Sequence, residues 1–89
     1  MAIIFPELSI RLMAITVKYF AVLRERLGKS EDVIEFNEGM KVSDVLEMTV
    51  VDKTIPKNLM VAVNMEYTRM DKRLHDDDEV AFFPAVTGG

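Results

Sequence analysis

Leu59-Met60-Val61-Ala62-Val63 is an unbroken apolar run, the pattern of a strand buried in the middle of a sheet rather than one with a face in water. After it, Asn64 to Thr68 turns away, and an irregular stretch leads to the acidic run Asp76-Asp77-Asp78-Glu79. The last strand is Glu79 to Phe83, with Val80 and Phe82 on one face and Ala81 and Phe83 on the other. Pro84 ends it, because it has no N–H to offer a ladder. Before the apolar run, Val42, Val45, Leu46, Thr49 and Val50 recur with the three-four spacing of one helical face. Ser43 and Asp44 suit its first turn, where free N–H groups and the positive dipole end favour such side chains. The β-branched run Thr49-Val50-Val51 weakens the helix and Pro56 limits it, so its end is expected near Asp52 or Lys53.

Further out, Glu31 to Asn37 reads as a strand with Ile34 and Phe36 on one face, followed by a turn at Glu38-Gly39. Ile15, Val17 and Tyr19 alternate with Thr16, Lys18 and Phe20, which predicts a half-buried strand with its first set in the core. Phe20 then falls on the polar face, either covered by the next turn or held out for a partner. Ala21 to Leu27 is a short helical turn with Leu23 and Leu27 inward and Arg24, Glu25 and Arg26 outward, closed by Gly28. The order is strand, short helix, strand, helix, strand, irregular segment, strand. It predicts an α+β fold, a small mixed sheet with one main helix across one face, as in a ubiquitin-like β-grasp.

Three parts follow: an extension over residues 1–12, a domain over 13–84 and a flexible tail over 85–89. Leu8, Ile10 and Leu12 alternate with Ser9 and Arg11, which suits extension of the next strand or pairing with another copy, but a misassigned start fits as well. No function attaches to that segment. The 89 residues allow one domain with one core. With 49% hydrophobic and 29% charged residues the chain has the balance of a globular domain rather than a disordered one.

A net charge of -4 and a pI near 4.9 argue against nucleic acid or an anionic membrane as partner, since both need a positive surface. No signal peptide or membrane-length apolar run is present, so a cytoplasmic location is expected. The absence of cysteine removes disulfides, thiolate metal sites and persulfide carriers. Asp76 to Glu79 lacks the spaced ligands and glycine of a calcium loop and reads as a solvated turn. His75 beside it has no serine or cysteine partner nearby and reads as a turn residue.

Only four glycines occur, and Gly88 and Gly89 form the terminal pair. Without Cβ atoms they can thread a channel too narrow for other residues. The five residues after Pro84 can carry the terminal carboxylate roughly 17 Å from the last strand, at about 3.5 Å each, far enough to enter a partner's active site. A frayed end is the plain alternative.

Three segments together are more specific. Ile15-Thr16-Val17-Lys18-Tyr19-Phe20-Ala21-Val22-Leu23-Arg24-Glu25, then Val61-Ala62-Val63-Asn64, then Asp78-Glu79-Val80-Ala81-Phe82-Phe83-Pro84 with its Gly-Gly end resemble the small subunit of molybdopterin synthase, over about Met13 to Gly89. The resemblance implies a β-grasp sulfur carrier with no bound cofactor. A partner using ATP adenylates Gly89, a sulfur donor converts the acyl-adenylate to a thiocarboxylate, and the tail delivers sulfur to cyclic pyranopterin monophosphate in the large subunit, within a heterotetramer. Two such deliveries build the dithiolene that holds molybdenum or tungsten. By position, Gly89 bears the sulfur, Gly88 gives it passage, and Phe20, Arg24, Phe83, Pro84, Val86 and Thr87 meet the partner.

Two residues depart from the family pattern. Ala85 stands where a second proline is common, which loosens the tail. Asp77 stands where a turn glycine is usual, and aspartate tolerates the left-handed conformation better than most residues. Competing readings are another β-grasp sulfur carrier, of thiamin biosynthesis or of the ubiquitin-related modifier type, or a binding module that makes no use of Gly-Gly.

Overall fold

The computed structural model describes residues 13–55 and 58–85. In chain order they form β1 (Ala14–Tyr19), α1 (Val22–Leu27), β2 (Glu31–Glu35), α2 (Val42–Thr49), β3 (Leu59–Val63), β4 (Glu66–Thr68) and β5 (Glu79–Pro84). The strands make one sheet in the order β2-β1-β5-β3-β4. β5 lies at its centre, parallel to β1 with Tyr19 beside Phe82, and antiparallel to β3 with Met60 beside Phe83. The remaining pairs, β1 with β2 and β3 with β4, are antiparallel.

Strand alternation makes the core. Ile15, Val17, Tyr19, Val61, Val63, Val80 and Phe82 face one side of the sheet, where Val42, Val45, Leu46, Val50, Leu23 and Leu74 close over them. Each such side chain contributes about 1.5–3 kcal/mol by leaving water. The opposite face carries Lys18, Phe20, Ala62, Tyr67, Ala81 and Phe83, and no described element covers it.

α1 is closed as the sequence predicts: Gly28 takes φ 74, and its N–H donates to the Arg24 carbonyl at 2.9 Å. Asp77, at the position where glycine is usual in the family, does adopt the left-handed conformation, φ 77.

Four features differ from the sequence reading. The main helix ends at Thr49, not near Asp52. The Thr49 hydroxyl donates back to the Val45 carbonyl at 2.7 Å, and Val50 leaves helical torsions, φ -102 and ψ 78, with its side chain fully buried. A β-branched run that prefers extended backbone thus stops the helix before Pro56 does. Glu31–Glu35 is the extent of the second strand, although Phe36 beyond it is buried and donates its N–H to the Met13 carbonyl at 3.0 Å.

Residues 64–68 do not simply turn away. Asn64 and Met65, at φ 51 and 71, form a two-residue turn with both central torsions positive, and Glu66–Thr68 folds back on β3. β3 is therefore an inner strand, but only one of its faces is closed: Met60, on the open face, is 40% exposed.

Finally, the acidic turn is more than solvated. Asp76 accepts from the Ala14 N–H at 3.0 Å, and Asp78 accepts from the His75 N–H and the Asn64 side-chain amide, both at 2.8 Å. Among the described residues no group of acids and histidines is placed to hold a metal ion, and no helix is long and apolar enough to cross a membrane.

Candidate functional site

The candidate site is built where β5 leaves the sheet. The parallel register sets Tyr19 beside Phe82, so Phe20, one residue past β1, arrives next to Phe83 on the open face. Their rings stack at 4.9 Å between centroids with 5° between planes. Ala21 then turns the chain sharply, φ 57 and ψ -133, into α1. Phe20 stays 39% exposed: one face of its ring packs on Phe83, and the turn into α1 does not cover the rest.

Phe83 also meets Tyr67 of β4, with centroids 5.9 Å apart and planes tilted by 56°. Between these rings the strands carry Ala62 and Ala81, which stand side by side across β3 and β5. Small residues flanked by aromatics leave a depression, a hollow of about 550 Å³ with Met65 and the Lys18–Glu79 pair on its margin. The Lys18 ammonium lies 3.0 Å from the Glu79 carboxylate. That hydrogen bond and the carboxylate's charge hold the lysine above its ordinary pKa. The face is thus apolar toward the end where the chain departs and charged toward the other. A protein surface with apolar side chains and one polar group fits it better than a small polar ligand does.

Pro84, beside Leu59 in the register, and Ala85 lie on the margin of a second hollow of about 410 Å³ shared with Val22, Ile55 and Arg26. Arg26 is fixed there by hydrogen bonds to the Thr54 carbonyl and hydroxyl at 3.1 and 3.3 Å. Arg24 is exposed on α1, four residues along the chain from Phe20. His75 and the acidic turn sit at the opposite end of β5, roughly 17 Å from Pro84 at about 3.3 Å per strand residue.

The structure therefore joins Phe20 to Phe83 and places Pro84 at the root of the tail. Val86, Thr87, Gly88 and Gly89, and the extension over residues 1–12, lie outside the described residues. Sequence reasoning missed Tyr67, Met60 and Met65. The parity of β3 carries part of the signal, since Met60 and Ala62 alternate with the buried Val61 and Val63. Tyr67 becomes visible only once residues 66–68 are recognised as a strand.

Residues 17–89, through to the last glycine, match the model of the ThiS family. The chain belongs to this family. It is 37% identical over 83 residues to the molybdopterin synthase sulfur carrier subunit of Chlamydomonas reinhardtii, which covers 86% of this chain and 100% of that protein. Among solved structures it is similar to a Pyrococcus furiosus protein assigned as molybdopterin converting factor subunit 1, with a TM-score of 0.71, 31% identity, and coverage of 83% of this chain and 99% of that one. It is also similar to small archaeal modifier protein 1 of Haloferax volcanii, with a TM-score of 0.68, 25% identity, and coverage of 85% and 99%. The shared ThiS-family fold is the β-grasp expected from the element order.

Proposed function

We propose that this ThiS-family chain is the sulfur carrier subunit of a molybdopterin synthase, with the carboxylate of Gly89 as its reactive group. The observation that carries the reading is the course of β5. The central strand of the sheet ends at Pro84 beside the stack of exposed Phe20 on half-buried Phe83, and the sequence then runs out in Gly88-Gly89. A rigid strand aims the arm, an apolar face beside its root seats a partner, and two residues without side chains finish it. The ThiS-family match covers the same stretch, running from residue 17 to residue 89, and the sulfur carrier subunit of Chlamydomonas reinhardtii is matched over its whole length.

The chemistry follows from the chain end. A terminal carboxylate, with a reference pKa of about 3.3–3.7, is ionised at neutral pH and is a poor electrophile. An activating enzyme supplies ATP; a carboxylate oxygen attacks the α-phosphorus and pyrophosphate leaves. A persulfide of the sulfur donor then attacks the acyl carbon and AMP departs, leaving an acyl disulfide; a thiol of the donor system cleaves its S–S bond, forming a disulfide with the donor and leaving the thiocarboxylate on Gly89. In the large subunit this sulfur is transferred to cyclic pyranopterin monophosphate, and a second carrier repeats the step. A heterotetramer of two carriers and two large subunits, in the cytoplasm where ATP is at hand, suits this sequence. No cysteine in the chain competes for the sulfur.

The test is intact-mass analysis of the chain after incubation with activating enzyme, ATP and sulfur donor. The expected product has one oxygen replaced by sulfur, and adding the large subunit with the pterin precursor returns it to the carboxylate as the pterin gains sulfur. A chain whose mass never changes, under conditions that load a known carrier, overturns the reading.

The likeness to small archaeal modifier protein 1 favours a second reading, in which the activated Gly89 forms amide bonds to lysines of other proteins. It predicts cross-linked peptides bearing the Gly-Gly remnant and no sulfur delivery to the pterin.

A further inference from the structure

The chain leaves the sheet beside a hollow that is separate from the open face. Pro84 and Ala85 line this space of about 410 Å³ together with Val22, Ile55 and Leu59, and Arg26 borders it as well. It lies on the helix side of the sheet, since Leu59 packs against the core there, whereas Met60 beside Phe83 faces the other way. Strand alternation points the tail to the same side. Val80 and Phe82 face the core, Pro84 shares their parity, and two residues further the parity falls to Val86, the only large apolar residue after Pro84.

Arg26 adds a charge at the border. Its Nη1 donates to the Thr54 carbonyl and hydroxyl, which fixes the guanidinium, and a guanidinium has five N–H donors, so others remain. The Asp52 carboxylate is held by the Thr54 hydroxyl at 2.6 Å and N–H at 2.9 Å, and these bonds lower its pKa more than the Arg26 charge does. Among the described residues no ion pair joins Asp52 to Arg26.

We propose that residues 86–89 of the same chain occupy this hollow, with Val86 seated between Val22, Ile55 and Leu59 and the Gly89 carboxylate paired with Arg26. Reach allows it. Gly89 is four residues past Ala85, about 14 Å at full extension, and Ala85 and Arg26 border one hollow. Gly88 and Gly89 can take the torsions that bend the end back toward the guanidinium. The seat stands apart from the sulfur chemistry: it is a property of the free chain, where it shelters the terminal carboxylate. One valine and one exposed ion pair hold weakly, so a partner that takes the tail displaces it.

The experiment is solution NMR of the free, isotopically labelled full chain. The Val86 methyls should show nuclear Overhauser contacts to the Val22 and Ile55 methyls, and the Val86 backbone order parameter should exceed about 0.6, below which backbone is flexible. Val22→Ser and Arg26→Gln, both at exposed positions, should leave the signals of the core in place and bring that parameter below about 0.6. Arg26→Lys keeps the charge and should stay near the parent. No Val86 contact in the parent, or an order parameter unchanged in Val22→Ser or Arg26→Gln, overturns the proposal. An Arg26→Lys chain as loose as Arg26→Gln traces the loss to the Thr54 bonds and overturns the pairing with Gly89. Contacts that run between differently labelled copies in a mixed sample give the hollow to a second copy and overturn the proposal as well.

Discussion

At the scale of single residues, one buried hydroxyl ties the core to the edge of the sheet. Tyr19 is 1% exposed, and its hydroxyl donates to the Asp32 carboxylate at 2.6 Å, where the Lys29 ammonium also approaches to 2.9 Å. Burial, and then the bond to Asp32, raise the tyrosine well above its ordinary pKa. Asp32 is held below the usual carboxylate range, by the Tyr19 hydroxyl first and Lys29 second. A carboxylate whose folded pKa is depressed contributes stability that is fully present above its unfolded value, about 3.9, and is lost as pH falls through the folded value. Tyr19→Phe should therefore cost about 1.5 kcal/mol at pH 7, the worth of a hydrogen bond to a charged group. Urea unfolding repeated from pH 7 down to pH 2.5 should show the gap between variant and parent closing below about pH 4. A gap that stays constant across that range would mean that the lost bond is not to an ionised Asp32.

At the scale of elements, the β3–β4 turn and the start of β5 are fastened by one side chain. The Asn64 amide donates to Asp78 at 2.8 Å and accepts from the Glu79 N–H at 2.9 Å, while its own backbone N–H donates to the Glu79 carbonyl at 2.8 Å. Asn64→Ala removes two of these bonds at a left-handed position that alanine disfavours, and should lower stability by about 2 kcal/mol. Hydrogen exchange should show the loss concentrated in β4 and the first residues of β5; uniform loss of protection would reject this local account. The same turn explains what the sequence could and could not disclose. Periodicity located β1, β5 and both helices because each buries one face at a fixed spacing. It missed β4, whose three residues include none that is buried and whose turn is built from Asn64 and Met65 without a glycine to announce it. The end of α2 was missed for another reason. Pro56 is the more visible stop signal, yet the backbone preference of Thr49 and Val50 acts first. Phe20 and Phe83 were legible as residues on the outer face, but their stacking depends on the parallel register of β1 and β5, a long-range pairing that no local pattern encodes.

At the scale of the whole molecule, the fold divides holding from reacting. On the proposed reading the open sheet face seats a partner, whereas the chemistry rests on the terminal carboxylate, beyond the last residue with a side chain. Two changes should therefore fail in opposite ways. Phe83→Ala removes one ring of the stack from a half-buried position outside the main core, so the fold should survive while affinity for the large subunit falls, by about 2 kcal/mol if Phe83 is a central anchor. Saturating that variant with large subunit should recover much of its sulfur transfer, because Gly89 is intact. Deletion of Gly89 should do the reverse. Unfolding midpoint and affinity should match the parent, since the residue follows the folded domain by several positions, yet sulfur transfer should vanish at every concentration of partner because the new chain end falls short of the reacting position by one residue, about 3.5 Å. Calorimetry and single-turnover transfer measured on the same preparations separate the two. A truncated chain that still transfers sulfur would place the reactive group somewhere other than the last carboxylate, and a truncated chain that no longer docks would mean that Gly89 itself contributes to binding.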